Sequence, residues 1–273
     1  MSANELPIGV FDSGVGGLTV VRALMERLPF ENIVYFGDTA RVPYGIKSVP
    51  TIESYTGQIT DFLLARRVKM LIVACNTMAA VARHVVDTRA AAFEVPVLDV
   101  IDAGAHEAAH VSKSGHIGVI GTPTTVNSNA YARRIHTIAP TARVFTQACP
   151  LFVPLVEEGW LDHPVTRLTA QEYLKPVLAE HVDTLVLGCT HYPLLKPLLR
   201  NVISETGQSV QLVDSAITVA EQAARALVTS GLAHSGNTPA RAEYFVTDVP
   251  LRFQTIGERF LGRTLGTVEK AAF

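Results

Sequence analysis

Nine short stretches of this chain are apolar at nearly every position. They are PIGVF (7–11), IVYF (33–36), MLIVA (70–74), VPVLDV (95–100), HIGVI (116–120), RVFTQ (143–147), TLVLG (184–188), VQLV (210–213) and AEYFV (242–246). A strand with one wet face alternates apolar and polar residues; a strand without that alternation is buried on both faces. Helix-length segments lie between most of them, such as LTVVRALMERL (18–28) and TIESYTGQITDFLLARR (51–67). Strands covered on both sides and alternating with helices predict an α/β fold with mainly parallel sheet. With 273 residues, 48% of them hydrophobic, there is material for one large domain or two smaller ones. The stretch around AHSGNTPAR (about 232–241) reads as a loop.

The pattern repeats. IGVFDS begins at Ile8 and IGVIGT at Ile117, an offset of 117 − 8 = 109. LIVACNT and LVLGCTH place Cys75 and Cys189 189 − 75 = 114 apart. VIDAGA and LVDSAI place Asp102 and Asp214 214 − 102 = 112 apart. Three similar pairs in one order at a nearly constant offset predict two α/β halves of like topology, each roughly 100 residues long.

Each cysteine of the repeat follows a predicted strand and precedes a predicted helix. Ligands of open α/β sheets bind outside the carboxyl ends of the strands. A helix N-terminus offers free N–H donors and partial positive charge, which lowers a thiol pKa. Asn76 and Thr190 suit such a first turn. A single buried cysteine is commonly a small hydrophobe; two at matched positions point to chemistry. Three uses are open: a redox disulfide, a zinc site completed by His191, or an acid–base pair on opposite faces of one substrate. The CxxC spacing of redox proteins is absent, and the third cysteine, Cys149, has no local ligand partner. Acid–base use fits the symmetry best. One base removes a proton from a tetrahedral carbon and the other returns one to the opposite face, so the centre inverts without a cofactor.

The flanking residues agree with that reading. Asp12 and Ser13 end the first strand and lead into GVGG. A dinucleotide fingerprint would need glycine where Thr19 stands, so these glycines are expected to bring backbone amides close to a bound carboxylate instead. Asp12 is placed to cap, to orient or to deprotonate a thiol. His191, two residues after Cys189, is placed to assist it. No lysine lies in any of these motifs, which argues against a Schiff base. Charged residues make up 18% of the chain, net charge is −2, and no basic stripe appears, so nucleic acid is not an expected partner. The apolar runs fall far short of the ~18 residues of a membrane span. The N-terminal MSANELPIGVFDSG lacks a basic segment followed by a long apolar one, so the expected location is the cytoplasm.

FDSGVGGLTV (11–20), DTARVPYG (38–45), ACNTMAA (74–80), GTPTTV (121–126), CPLFVPLVEEG (149–159) and LGCTHYPLL (187–195) together resemble the bacterial glutamate racemases, within the aspartate/glutamate racemase superfamily. The blocks stand in that family's order over most of the chain; roughly 225 to 273 carries none of them. The resemblance implies cofactor-independent interconversion of L- and D-glutamate. D-Glutamate then supplies peptidoglycan, and with it cell-wall biogenesis and cell shape. It implies two similar, pseudo-two-fold-related α/β domains with the active site between them, 1–98 plus 212–273 forming the first and 99–211 the second. It implies that Cys75 takes the α-proton of D-glutamate and Cys189 that of L-glutamate. Asp12 would support Cys75; Glu157 and His191 would support Cys189. Asp12, Ser13, Tyr44, Gly45, Asn76, Thr77, Thr122, Thr125, Thr190 and His191 match substrate-contact positions. No cofactor, metal or membrane is implied, and a homodimer is. Aspartate racemase, or a related two-thiol racemase, is the nearest alternative.

Overall fold

A computed structural model describes residues 2–248 and 250–271, the side chains of 250–252 excepted. Residues 1, 249, 272 and 273, which the expected division would place in the first domain, lie outside the described residues. The chain runs through β1 (Ile8–Asp12), α1 (Leu18–Arg27), β2 (Ile33–Gly37), α2 (Val49–Leu64), β3 (Met70–Val73), α3 (Asn76–Ala91) and β4 (Val97–Asp99). The helix α4 (Val100–Val111) then leads to β5 (His116–Gly121), α5 (Pro123–Asn127), α6 (Ala130–Ile138), β6 (Arg143–Ala148), α7 (Phe152–Glu157), α8 (Pro164–Leu178) and β7 (Thr184–Gly188). The last elements are α9 (Lys196–Glu205), β8 (Gln211–Asp214), α10 (Ser215–Thr229), β9 (Ala242–Val246), α11 (Pro250–Leu261) and β10 (Val268–Lys270).

The strands form two sheets, in the orders β10-β9-β2-β1-β3-β4 and β6-β5-β7-β8. Every pairing in both is parallel. The predicted mainly parallel α/β fold is therefore what forms. The unbroken apolar runs are its cause: all residues of β1, β2, β3 and β7 are buried. The edge strand β6 is only partly covered and begins on the exposed Arg143. All nine predicted strands occur. Among the described residues there is a tenth, β10, which no apolar run marks in the sequence, its three residues being VEK.

The repeat is visible as topology. The order β2-β1-β3-β4 in one sheet recurs as β6-β5-β7-β8 in the other, and β9 and β10 extend the first beside β2. One pairing in the sequence needs correction. Asp214 caps α10 by accepting from the Ala216 N–H, and its counterpart is Asp99, which caps α4 by accepting from the Ile101 and Asp102 N–H groups. That offset is 214 − 99 = 115, close to the cysteine offset; Asp102 lies one turn further on and pairs with Arg134. The two caps start the helices that leave each sheet. α4 leads from β4 to β5 and α10 from β8 to β9, and the two pack against each other and against the rest of the core. The expected cuts at 98/99 and 211/212 fall inside β4 and β8.

Candidate active site

A cleft of about 410 Å³ opens between the sheets, lined from both. The first half contributes Ser13 and Gly14 after β1, residues 42–46 after β2, and Cys75, Asn76 and Thr77 after β3. The second contributes Thr122 and Pro123 after β5, residues from Pro150 to Glu157 after β6, and Cys189, Thr190 and His191 after β7. These are the carboxyl ends of parallel strands, where the backbone leaves the sheet and side chains are free to converge.

The two thiols occupy matched turns. Cys75, in an extended conformation, is the residue before α3. Cys189 follows β7 and is followed by a 3-10 turn, Tyr192–Leu195, before α9 begins. They are 5% and 6% exposed, so each is enclosed while still reaching the cleft. Cys75 donates to Ser13 Oγ at 3.5 Å. Burial pushes its pKa up to about 12, and the nearby Asp12 carboxylate adds to that; the bonds from Ser13 and the Met78 amide pull the other way. The expected lowering by a helix N-terminus is thus outweighed at Cys75, because loss of water costs the anion more than the first-turn amides return.

The neighbours of the thiols differ. Asp12 is 1% exposed and lies behind the cleft wall. Its Oδ2 accepts from the Gly14 N–H at 3.1 Å, and its Oδ1 is buried without a hydrogen-bond partner. Burial raises its pKa, while His191 and the surrounding amides lower it. On the other side, His191 Nδ1 lies 3.9 Å from Cys189 Sγ, and its Nε2 lies 3.0 Å from Glu157 Oε1. Burial opposes a charged ring there, but the bonds and charges of Cys189 and Glu157 prevail, and the His191 pKa rises to about 10. Of the two adjacent glutamates, Glu157 reaches the imidazole and Glu158 is exposed. Phe260 of α11 sets its ring edge-to-face against His191, centroids 5.0 Å apart.

Other expected residues line or back the cleft in different ways. Thr77, Thr122 and Thr125 form a hydroxyl cluster across the cleft, with Oγ1 separations of 3.1 Å (Thr77–Thr122), 3.0 Å (Thr122–Thr125) and 3.5 Å (Thr77–Thr125). Thr125 is itself buried behind the cleft wall. Tyr44 lines the cleft, but its hydroxyl donates to Asp38, which also accepts from Thr247 and pairs with Arg41. The Gly45 carbonyl accepts from Thr124 Oγ1 at 2.7 Å, and a Cβ at Gly45 would meet Thr122 at 2.9 Å. Asn76 lines the cleft with its Nδ2 buried and without a protein partner, while its Oδ1 accepts from the Tyr131 hydroxyl.

The glycine loop works differently from expectation. Only Gly14 of GVGG faces the cleft. A Cβ on Gly16 would lie 2.2 Å from Thr190 Oγ1 and 2.6 Å from His191 Nδ1; one on Gly17 would lie 2.5 Å from Asp12 Cβ. Gly16 lets the Cys189 turn of one half nest against the first turn of the other, and Gly17 gives room to Asp12 and Tyr35 within its own half. Thr19 supports the contact, with its Oγ1 3.1 Å from the Thr190 carbonyl.

Several contributors were not read from the sequence. Tyr131, in the unremarkable run NSNAYARR, and Asp38, inside DTARVPYG, act on other residues of the site. Phe260 and Arg259 come from the C-terminal stretch that carried no motif; Arg259 Nη1 donates to the Glu157 carbonyl at 2.9 Å. Among the described residues, no group of three or more His, Cys, Asp or Glu is arranged to hold a metal ion. Likewise among the described residues, no helix is long and apolar enough to cross a membrane.

The family model for Asp/Glu/hydantoin racemases matches residues 8–223. The glutamate racemase of Syntrophus aciditrophicus is 67% identical over 264 residues, 97% of this chain and 96% of the relative. That of Neisseria gonorrhoeae is 61% identical over 265 residues, again 97% and 96%. Among solved structures, glutamate racemase from Francisella tularensis in complex with D-glutamate superposes with a TM-score of 0.91 at 40% identity, covering 98% of both chains. A parallel two-sheet fold, a shared cleft with a cysteine from each half, and this likeness along nearly the whole chain lead to one conclusion: the chain is an isomerase that belongs to the Asp/Glu/hydantoin racemase family, among its glutamate racemases.

Proposed function

We propose that this protein interconverts L- and D-glutamate by a two-base exchange at Cα, without a cofactor. The observation that carries the reading is that Cys75 and Cys189 reach one cleft from matched turns of the two halves, each beside its own ionisable neighbours. With D-glutamate bound, the Cys75 thiolate takes the Cα proton. The electron pair left at Cα spreads into the carboxylate, and the Cys189 thiol returns a proton to the opposite face. L-Glutamate leaves, and the two sulfurs have exchanged protonation states; the reverse reaction runs through the same steps. One sulfur must be ionised and the other protonated, so kcat/KM is expected to be bell-shaped in pH.

The α-proton is weakly acidic and no electron sink is at hand, so fixed donors must hold the developing charge. Asn76 Nδ2, buried and without a protein acceptor, together with Ser13, Thr77, Thr122 and Thr190, is the set that binds the carboxylates in this reading. Tyr44 and Gly45 wall the cleft, and Thr125 orients Thr122 from behind. The positively charged His191, held by Glu157 at 3.0 Å, stands 3.9 Å from the Cys189 sulfur. At Cys75 the substrate's own ammonium group supplies the counter-charge, and Asp12, acting through the thiol, helps to place its proton.

The two domains of this reading are 1–98 plus 212–273 and 99–211; two sheets with strands at 8–99 plus 242–270 and at 116–214 support two such units, although the cuts divide β4 and β8. The enzyme works in the cytoplasm as a homodimer, and its D-glutamate feeds peptidoglycan.

Incubation with L-glutamate in D2O tests the chemistry. D-Glutamate should gain deuterium at Cα from the first turnovers, with little label in recovered L-glutamate. Early label in the starting enantiomer would point to a single shared base. Cys75→Ser and Cys189→Ser should each abolish racemisation in both directions, and full activity in either overturns the two-base mechanism. Faster turnover of aspartate than of glutamate would overturn the choice of substrate.

A further inference from the structure

Tyr131 of α6 is 2% exposed and takes no part in the proton transfers above. Its hydroxyl donates to Asn76 Oδ1 at 2.7 Å, with the Val100 carbonyl a more distant second acceptor at 3.4 Å. Asn76 is the first residue of α3, in the half that carries Cys75; α6 belongs to the half that carries Cys189. A side-chain amide has one acceptor end and one donor end. Occupying Oδ1 fixes the flip of the Asn76 amide, so that Nδ2 is the end left to donate. That nitrogen is buried and has no protein acceptor, on a residue that lines the cleft. The same Tyr131 ring also packs against the other thiol's turn. A Cβ on Gly188, the residue before Cys189, would lie 3.1 Å from Tyr131 Cε2, and one on Gly104 of α4 would lie 3.2 Å from its Cε1 and hydroxyl. One side chain therefore touches the residue that follows Cys75 and the residue that precedes Cys189. Burial raises the Tyr131 pKa, so the phenol stays a neutral donor across the working pH range.

We infer that Tyr131 is a positioning residue for racemisation: it orients the Asn76 amide to donate to a substrate carboxylate, and it does so across the junction of the two halves. The inference rests on the glutamate-racemase reading of the cleft. It makes the substrate donor of one half depend on docking of the other.

Tyr131→Phe removes the hydroxyl and keeps the ring packed beneath Gly188. KM should rise roughly 3- to 10-fold for both enantiomers, the loss expected for one buried hydrogen bond, with kcat changed less than about threefold. Calorimetric Kd for D-glutamate should rise by the same factor. In an Asn76→Ala background the Tyr131→Phe change should cost nothing more in Kd, because the amide it orients is gone. Unchanged KM and Kd in Tyr131→Phe, or an equal loss with and without Asn76, would overturn the inference. A wild-type protein that does not racemise glutamate overturns the reading of the site and the inference with it. A racemising wild type with an unaffected Tyr131→Phe overturns the inference alone.

Discussion

Cys75 lies where a reactive thiol is expected, yet its surroundings keep it neutral. An acid whose pKa is raised stays protonated until the pH approaches the raised value. For Cys75 that value is about 12, against an ordinary thiol near 9, with burial the first cause and the Asp12 charge the second. In a Cys149→Ala, Cys189→Ala protein only this thiol remains to react. Its iodoacetamide alkylation should be slow at pH 8 and climb about tenfold per pH unit from pH 9 upward, since only the thiolate attacks. A rate that has levelled off by pH 9 would show that the free site already favours the thiolate. That cysteines at 75 and 189 matter was legible in the sequence, because two similar motifs at matched positions are hard to explain as packing. The balance of burial against helix amides was not legible. It depends on how completely the opposite half covers the thiol, and no local window contains that information.

At the scale of elements, the decisive contact is between the loop after β1 and the turn after β7. Gly16 has room for hydrogen alone, with Thr190 Oγ1 and His191 Nδ1 inside the space a methyl group would take. Gly16→Ala must push the Cys189 turn away or shift α1, at an overpacking cost of about 1–3 kcal/mol. We expect kcat/KM to fall by about 100-fold or more, since a misplacement of about 1 Å at the reacting groups has that effect. Thermal denaturation should show the protein still folded. Activity within threefold of wild type would mean that the loop yields without moving His191. The GVGG run is conspicuous in the sequence, where it suggests a ligand loop. Its use as a seat for another element appears only once the halves are docked. Likewise the caps Asp99 and Asp214 are related by structure, whereas the sequence drew the eye to Asp102 in VIDAGA.

At the scale of the molecule, chemistry and anchorage sit at opposite ends of the first sheet. The cleft lies at the carboxyl ends of the strands. At the amino end, Lys69, just before β3, is buried against Glu31 at 2.5 Å, and its Nζ also donates to the Asn4 and Leu232 carbonyls at 2.7 and 2.9 Å. Glu31 in turn accepts from the His234 N–H. This pair ties the N-terminal segment and the 232–241 loop to the core of the sheet. Lys69→Met leaves a buried carboxylate without its partner, which costs about 3–5 kcal/mol and should lower Tm by roughly 10 °C. KM and kcat at 25 °C should stay within twofold, because the cleft is at the far end of the strands. A Tm within 2 °C of wild type would show that Glu31 is readily neutralised or resolvated. The C-terminal stretch that matched no motif closes the other end: Phe260 backs His191 and Arg259 holds the carbonyl of Glu157.

The sequence alone was sufficient for the class of fold, nine of the ten strands among the described residues, the twofold repeat and the two thiols. Each of these is written in a local pattern: apolar runs for strands buried on both faces, and a motif that recurs at a near-constant offset. Tertiary structure alone decided which side chains act on which. Tyr131 reaching Asn76, Phe260 backing His191, Asp12 set behind the cleft wall and the raised pKa of Cys75 all arise between residues far apart in the chain. The reason is physical. Backbone preference and periodicity act over a few residues, whereas burial, electrostatic shifts and side-chain orientation are properties of the space between packed elements, and that space exists only after the two halves have docked.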